Sequence, residues 1–185
     1  MSIAVRERLM TVEEFLDWHP DDEKWELVGG IPWRMMSEGD FHETVKTNVS
    51  NALGRRLRAP NPCRPGSNGK LVRIDNTTGY RPDAHINYAP VRGPMKALIE
   101  KPVVVFEVAV TSLESDLTDK RNGYFVNPHV EHLIVVNPMA RKVHHFRRGS
   151  AIEDILNVGD TLSLDGTASL DLPIAEFFEW PPEII

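Results

Sequence analysis

The run "PVVVFEVAV" (Pro102–Val110) constrains this chain more than any other stretch. It is rich in β-branched residues, as a strand buried on both faces of a sheet would be. The apolar stretch from Val103 to Val110 is far too short to span a bilayer, and Glu107 interrupts it. A carboxylate in such a strand costs several kcal/mol if left alone, so Glu107 needs a cation, a hydrogen-bond donor or a proton. A solvated strand end or a nearby arginine would also satisfy it.

The surrounding pattern predicts a mixed α/β chain. "TVEEFLDW" reads as a short helix with Thr11 and Glu14 as a capping box. "KWELVGGIPWRMM" reads as a hairpin turning at Gly29-Gly30. A longer helix is expected from about Phe41 to Leu57, with Val45, Val49, Ala52, Leu53 and Leu57 at helical spacing. "KLVRI" and "DAHINY" read as strands. A helix from Thr111 to about Val126, capped by Thr111 and Glu114, would form a crossover. That crossover makes Val103–Val110 and His132–Val136 a parallel pair. "EHLIVVNP" and "KVHHFRR" read as strands joined at Asn137-Pro138, "LSLDGTASL" as a turn-rich closing segment and "PIAEFFEW" as a short helix. We expect one domain over residues 1–185, with a core of about 11–148 and a closing segment of 149–185.

Composition narrows the class. The single Cys63 allows no internal disulfide, and the first residues carry no apolar segment of signal-peptide length. Both fit a soluble cytoplasmic protein without membrane contact. The net charge of −6 argues against strong non-specific nucleic-acid binding, which depends on Lys and Arg neutralising phosphates. Two basic clusters, Arg55/Arg56/Arg58 and Arg141/Lys142/Arg147/Arg148, either guide a phosphate backbone or form a solvated surface. His129-x-x-His132 and His144-His145 lack Cys partners, and the second pair points to opposite strand faces, which disfavours zinc.

Asp83 opens "DAHINY" directly after Arg81-Pro82. If that strand pairs with the apolar one, Asp83 and Glu107 converge at one end. Oxygen ligands from one or two carboxylates, completed by water and phosphate, suit Mg²⁺. His85 lies two residues beyond Asp83, on the same strand face.

Phe15, "WELVGG", His42, "RPDAHI", "FEVAVTS", "DLTDKRNGY" and "VEHLIVVNP" together resemble the Uma domain family of restriction-endonuclease-like proteins, within the PD-(D/E)xK nuclease superfamily. The likeness runs in order from about Thr11 to Phe146. It implies a restriction-endonuclease-like core: a mixed central sheet flanked by helices, preceded by a helix and a hairpin. It also implies Mg²⁺ (or Mn²⁺), action on DNA and a homodimer. It places Glu26, Asp83 and Glu107 at acidic, metal-binding positions, Lys120 at the basic position and His42 at a histidine near the start of the long helix.

The superfamily pattern would put lysine two residues after Glu107, where Ala109 stands. Lys120 lies about two turns into the expected crossover helix, roughly 12 Å from its start, and its long stem can reach back. The plainer reading is an exposed Asp116–Lys120 pair. Glu26 either serves the metal or pairs with an arginine. His42 carries protons, donates to a ligand, or simply caps. The activity implied is metal-dependent phosphodiester hydrolysis. The competing readings are an inactive nuclease-fold module that binds nucleic acid or regulates, and a dimeric interaction protein whose carboxylates form internal ion pairs.

Overall fold

The computed structural model describes residues 9–18, 24–35, 37–67, 69–90, 97–110 and 113–180, with 115 and 116 in backbone only. The first helix, α1 (Val12–Asp17), forms with both arms of the expected capping box: Thr11 Oγ1 accepts from Glu14 N–H and Glu14 accepts from Thr11 N–H. It buries Val12 and Phe15 against Leu27 and Leu71. Strands β1 (Trp25–Val28) and β2 (Ile31–Arg34) pair antiparallel around Gly29 and Gly30. Their φ values of 58° and 82° are the left-handed conformations that a two-residue hairpin turn demands. Helix α2 (Asp40–Arg56) then turns Val45, Val49, Ala52 and Leu53 inward.

The remaining strands are β3 (Arg64–Ser67), β4 (Val72–Arg73), β5 (Gly79–Tyr80), β6 (Ala84–Asn87), β7 (Pro102–Val108), β8 (His132–Asn137), β9 (Lys142–Arg147), β10 (Glu153–Asn157), β11 (Thr161–Leu164) and β12 (Leu170–Pro173). Six of them form the central sheet in the order β10-β9-β8-β7-β6-β3. The β7–β8 pair is parallel, as the crossover requires, and the other pairs are antiparallel. A smaller sheet, β2-β1-β5-β4, carries the hairpin.

Every residue of β7 is buried. Val104, Phe106 and Val108 face α2 and the closing segment, where Leu162, Leu172, Ile174 and Phe177 complete one core. Val105 and Ala109 face the other way, toward Tyr124, Leu133, Val135 and Phe146. Burying each large side chain contributes about 1.5–3 kcal/mol, so the period-2 division of β7 between two cores holds the sheet at its centre.

Two expectations change, and one strand forms that the sequence pattern does not predict. The crossover is not one α-helix but α3 (Leu113–Ser115), a π-helical turn over Asp116–Lys120 and α4 (Arg121–Tyr124). The expected cap at Thr111 falls outside the described residues. The final "PIAEFFEW" forms a 3-10 helix (Ile174–Phe178) rather than an α-helix. It binds α2 through Glu176, which takes Arg55 and Arg56 at 2.5 Å each. Asn48 adds a bond to the Glu179 carbonyl at 2.7 Å. Finally, β3 is a strand despite Pro65, because it lies at the sheet edge and pairs only with β6.

Candidate functional site

The β6–β7 register pairs Ala84 with Phe106, which sets Asp83 beside Glu107 at the strand ends. Val108 N–H donates to Asp83 Oδ2 at 2.8 Å, tying the two strands together at that point. Glu107 alternates onto the face of Val105 and Ala109 and is 3 % exposed. At that burial it is no solvated strand end, and its partners include a tyrosine and a lysine. Tyr124 from α4 donates its hydroxyl to Glu107 Oε1 at 2.5 Å, and the Lys120 ammonium lies 3.2 Å from the same oxygen. Burial first, then the Glu107 and Glu26 carboxylates, push the Tyr124 hydroxyl well above its ordinary pKa and keep it a donor.

Lys120 also lies 3.7 Å from Glu26 Oε1, so one ammonium bridges the hairpin carboxylate and the central-strand carboxylate. Glu26 is steadied by Arg81 N–H at 2.7 Å. The π-helical turn ends at Lys120, and Tyr124 follows four residues later, so both side chains descend on one carboxylate oxygen. The side chain of Asp116, the alternative partner of Lys120, is outside the described residues. Gly123 makes room for this packing: a Cβ there would stand 2.6 Å from the Tyr80 ring, which meets Tyr124 edge-on at 5.3 Å.

His42, in the first turn of α2, brings Nε2 to 3.2 Å from Asp83 Oδ2 and Nδ1 to 3.5 Å from Glu38 Oε2. One turn later Lys46 contacts Glu38, which also takes Lys24 at 3.0 Å. Burial, reinforced by Lys24, lowers the Lys46 pKa, while Asp83 acts in the opposite direction. Asp83, Glu107, Glu26, Lys120 and His42 all line one cavity of about 780 Å³. Glu38, His42 and Asp83 can each aim a ligand atom within 4.8 Å of the others. Hard carboxylate oxygens predominate, the donor type that Mg²⁺ and Mn²⁺ take.

Sequence reasoning had not singled out Tyr124, Glu38 or Lys46 as site residues. Tyr124 carried a signal in its i+4 spacing from Lys120, and Lys46 in its place between the buried Val45 and Val49. His85 stands apart from the cavity. It packs against Gly66 on β3, where a Cβ would come within 2.4 Å of its ring, and burial holds its pKa down to about 4.

The histidine pairs act elsewhere. His132 Nδ1 meets His145 Nε2 at 2.9 Å, and His144 pairs with Glu153 at 2.5 Å. Several arginines of the basic clusters have partners within the molecule. Arg55 and Arg56 hold Glu176, Arg147 holds Asp154 at 2.7 Å, and Arg148 donates to the Val130 and Phe125 carbonyls at 2.8 and 2.9 Å.

Among solved structures, the chain is similar to a putative nuclease belonging to DUF820 from Anabaena variabilis. The TM-score is 0.74 at 14 % identity, covering 91 % of this chain and 97 % of that one. At that identity the likeness speaks for the fold: a nuclease-type mixed α/β sheet flanked by helices. No curated protein matches the chain. No helix among the described residues is long and apolar enough to cross a membrane. Residues 12–175 match the Uma2 family, described as "putative restriction endonuclease", and the chain belongs to that family.

Proposed function

We propose that this chain is a divalent-metal-dependent endonuclease that hydrolyses phosphodiester bonds in DNA. The observation that carries the reading is the position of Lys120, within 3.2 Å of Glu107 and 3.7 Å of Glu26 in a cavity shared with Asp83. Family membership and the oxygen-rich donor set support it further. Asp83, Glu107 and Glu26 are the ligands that the family likeness implies for Mg²⁺ or Mn²⁺, and Glu38 and His42, whose ligand atoms lie within 4.8 Å of that of Asp83, would complete the set on its other side. Such an ion supplies charge stabilisation to the phosphodiester and lowers the pKa of a bound water.

The chain's own residues do the rest. Val108 N–H and His42 both approach Oδ2 of Asp83, fixing that carboxylate's orientation and directing neither contact to Oδ1. Tyr124 fixes Glu107 in the same way. Lys120, carried by the crossover instead of the apolar strand, sets a positive charge beside the scissile phosphate and orients the attacking water. His42 holds Asp83 through Nε2, and its buried Nδ1, 3.5 Å from Glu38, makes no hydrogen bond among the described residues.

The test is nicking of supercoiled plasmid with Mg²⁺ or Mn²⁺ by the purified protein and by the Asp83→Ala, Glu107→Ala double variant. Cleavage by the parent alone is expected, with loss of about 10²-fold or more in the variant. Equal cleavage by both refutes the site. Nucleic-acid binding without metal-dependent cutting by the parent favours a non-catalytic binding module.

A further inference from the structure

The hairpin that supplies Glu26 has an outer face that the proposed chemistry leaves unused. Its register pairs Glu26 with Trp33 and Val28 with Ile31. Cross-strand partners project from the same face, and residues two apart along a strand do too. Glu26, Val28, Ile31 and Trp33 therefore share one face. Met35, the next residue in that alternation, lines the cavity together with Glu26. The opposite face carries Leu27, packed against α1.

A solvated face of a small antiparallel sheet ordinarily reads polar. This one is apolar, with Val28 39 %, Ile31 50 % and Trp33 59 % exposed. Single exposed apolar residues are commonplace, but three in register that run into a carboxylate-lined cavity form a continuous strip. Phe41 is part of the cavity lining and is 52 % exposed. Its ring is braced edge-on by Trp180 at 5.1 Å. Trp33, the cross-strand partner of the cavity residue Glu26, and Phe41, in the lining, are thus two accessible aromatic rings near the site.

Charge decides what such a site takes. Duplex binding draws its affinity chiefly from cations that neutralise phosphates. Here the net charge is −6, and Arg55, Arg56, Arg147 and Arg148 are engaged by Glu176, Asp154 and backbone carbonyls. Asp40 adds negative charge to the cavity wall, where Glu38 is paired with Lys46 and Lys24. A single strand is a polyanion too, but stacking of its bases on an aromatic ring adds affinity that cations do not supply, tolerates any sequence and requires bases freed from a duplex.

We infer that Trp33, with Ile31 beside it, forms a stacking wall at the cavity's hairpin side that selects nucleic acid with unpaired bases, single-stranded or frayed, over regular duplex. The inference rests on the nucleic-acid reading of the site. It adds a substrate class: a strand led past Glu26 by its bases instead of by its phosphates.

The test uses the full chain in EDTA, so that no cutting occurs, and fluorescence anisotropy of labelled oligonucleotides. The probes are an oligothymidylate, a hairpin duplex with the same number of phosphates and an abasic strand of that length. The oligothymidylate is expected to bind about tenfold or more tighter than either of the others. Trp33→Ala, at an exposed position where circular dichroism checks the fold, is expected to lose about tenfold on the oligothymidylate alone, and Trp33→Phe to recover most of it. Equal binding of abasic and normal strands, an unchanged Trp33→Ala, or no binding of any probe overturns the inference. So does sedimentation showing a parent dimer that Trp33→Ala dissolves, because the strip would then face a second copy of the chain. Failure of the nuclease reading looks different: no metal-dependent nicking, with the stacking preference intact.

Discussion

His145 offers a sharp test of the buried polar chain behind the sheet. The Asp165 carbonyl can only accept, so His132 Nε2 at 3.0 Å must donate to it. In a neutral ring His132 Nδ1 is then an acceptor, and His145 Nε2–H donates to it at 2.9 Å. A further proton on His145 would have to sit at a position 1 % exposed. Burial foremost, then His132 and Arg147, lower its pKa from 6.5 to about 4, against the opposite pull of Asp154 and Asp165.

The unfolded chain therefore binds more protons than the folded one between those two values. Stability from this group is complete above the unfolded pKa, falls as pH drops through 6.5 and levels off below about 4. Moving from about pH 7.5 to about pH 5.5 costs about 1 kcal/mol from His145 alone, with a ceiling of about 3 kcal/mol in stronger acid. Urea unfolding with a slope of about 2 kcal/mol per molar turns that into a midpoint shift of about half a molar. The comparison is with His145→Gln, which keeps an N–H donor but cannot titrate. The parent should lose about 1 kcal/mol more than the variant across this interval. Parallel losses in the two proteins would refute the reasoning, whatever their absolute stabilities.

Two other substitutions probe the supports of the candidate site. Tyr124→Phe removes the hydroxyl that reaches Glu107 at 2.5 Å, and losing a buried bond to a carboxylate should cost about 1.5–3 kcal/mol. An unchanged urea midpoint would mean that the hydroxyl does not support Glu107. Gly123→Ala should gain about 1 kcal/mol from helix propensity. Its Cβ would also come within 2.6 Å of the Tyr80 ring, an overpacking that costs about 1–3 kcal/mol. The net expectation is a lower thermal midpoint and an altered near-ultraviolet signal from the tyrosine pair; a raised midpoint would show that Tyr80 yields freely.

Much of the fold was legible because its centre is written in period-2 and period-3.6 patterns that solvent alone enforces. The β-branched run at β7 left its residues little choice but two-sided burial. The capping box of α1 and the Gly29-Gly30 turn announced themselves through local chemistry. Strand β3 was illegible because "RPGS" has neither β propensity nor alternation; its partner β6 recruits it from across the sheet. The π-helical turn left no compositional trace, since one widened turn changes hydrogen bonding without changing which residues are apolar. At the site, Asp83, Glu107 and Lys120 were identifiable from strand position and family likeness. Lys46 escaped notice because a lysine in a helix ordinarily faces water, whereas here Glu38 holds it inward.

The attachment of Ile174–Phe178 to α2 bears on when the site can assemble during synthesis. Arg55 and Arg56 meet Glu176 about 120 residues downstream, and Asn48 reaches the Glu179 carbonyl 131 residues away. The helix that carries His42 thus meets β6 and β7 first and gains its last supports only once residues 174–179 have been made. Contacts of that sequence separation are slow to close. Until then a growing chain presents Asp83 and Glu107 beside an α2 that lacks its Glu176 and Glu179 anchors, so the constellation is completed in two stages.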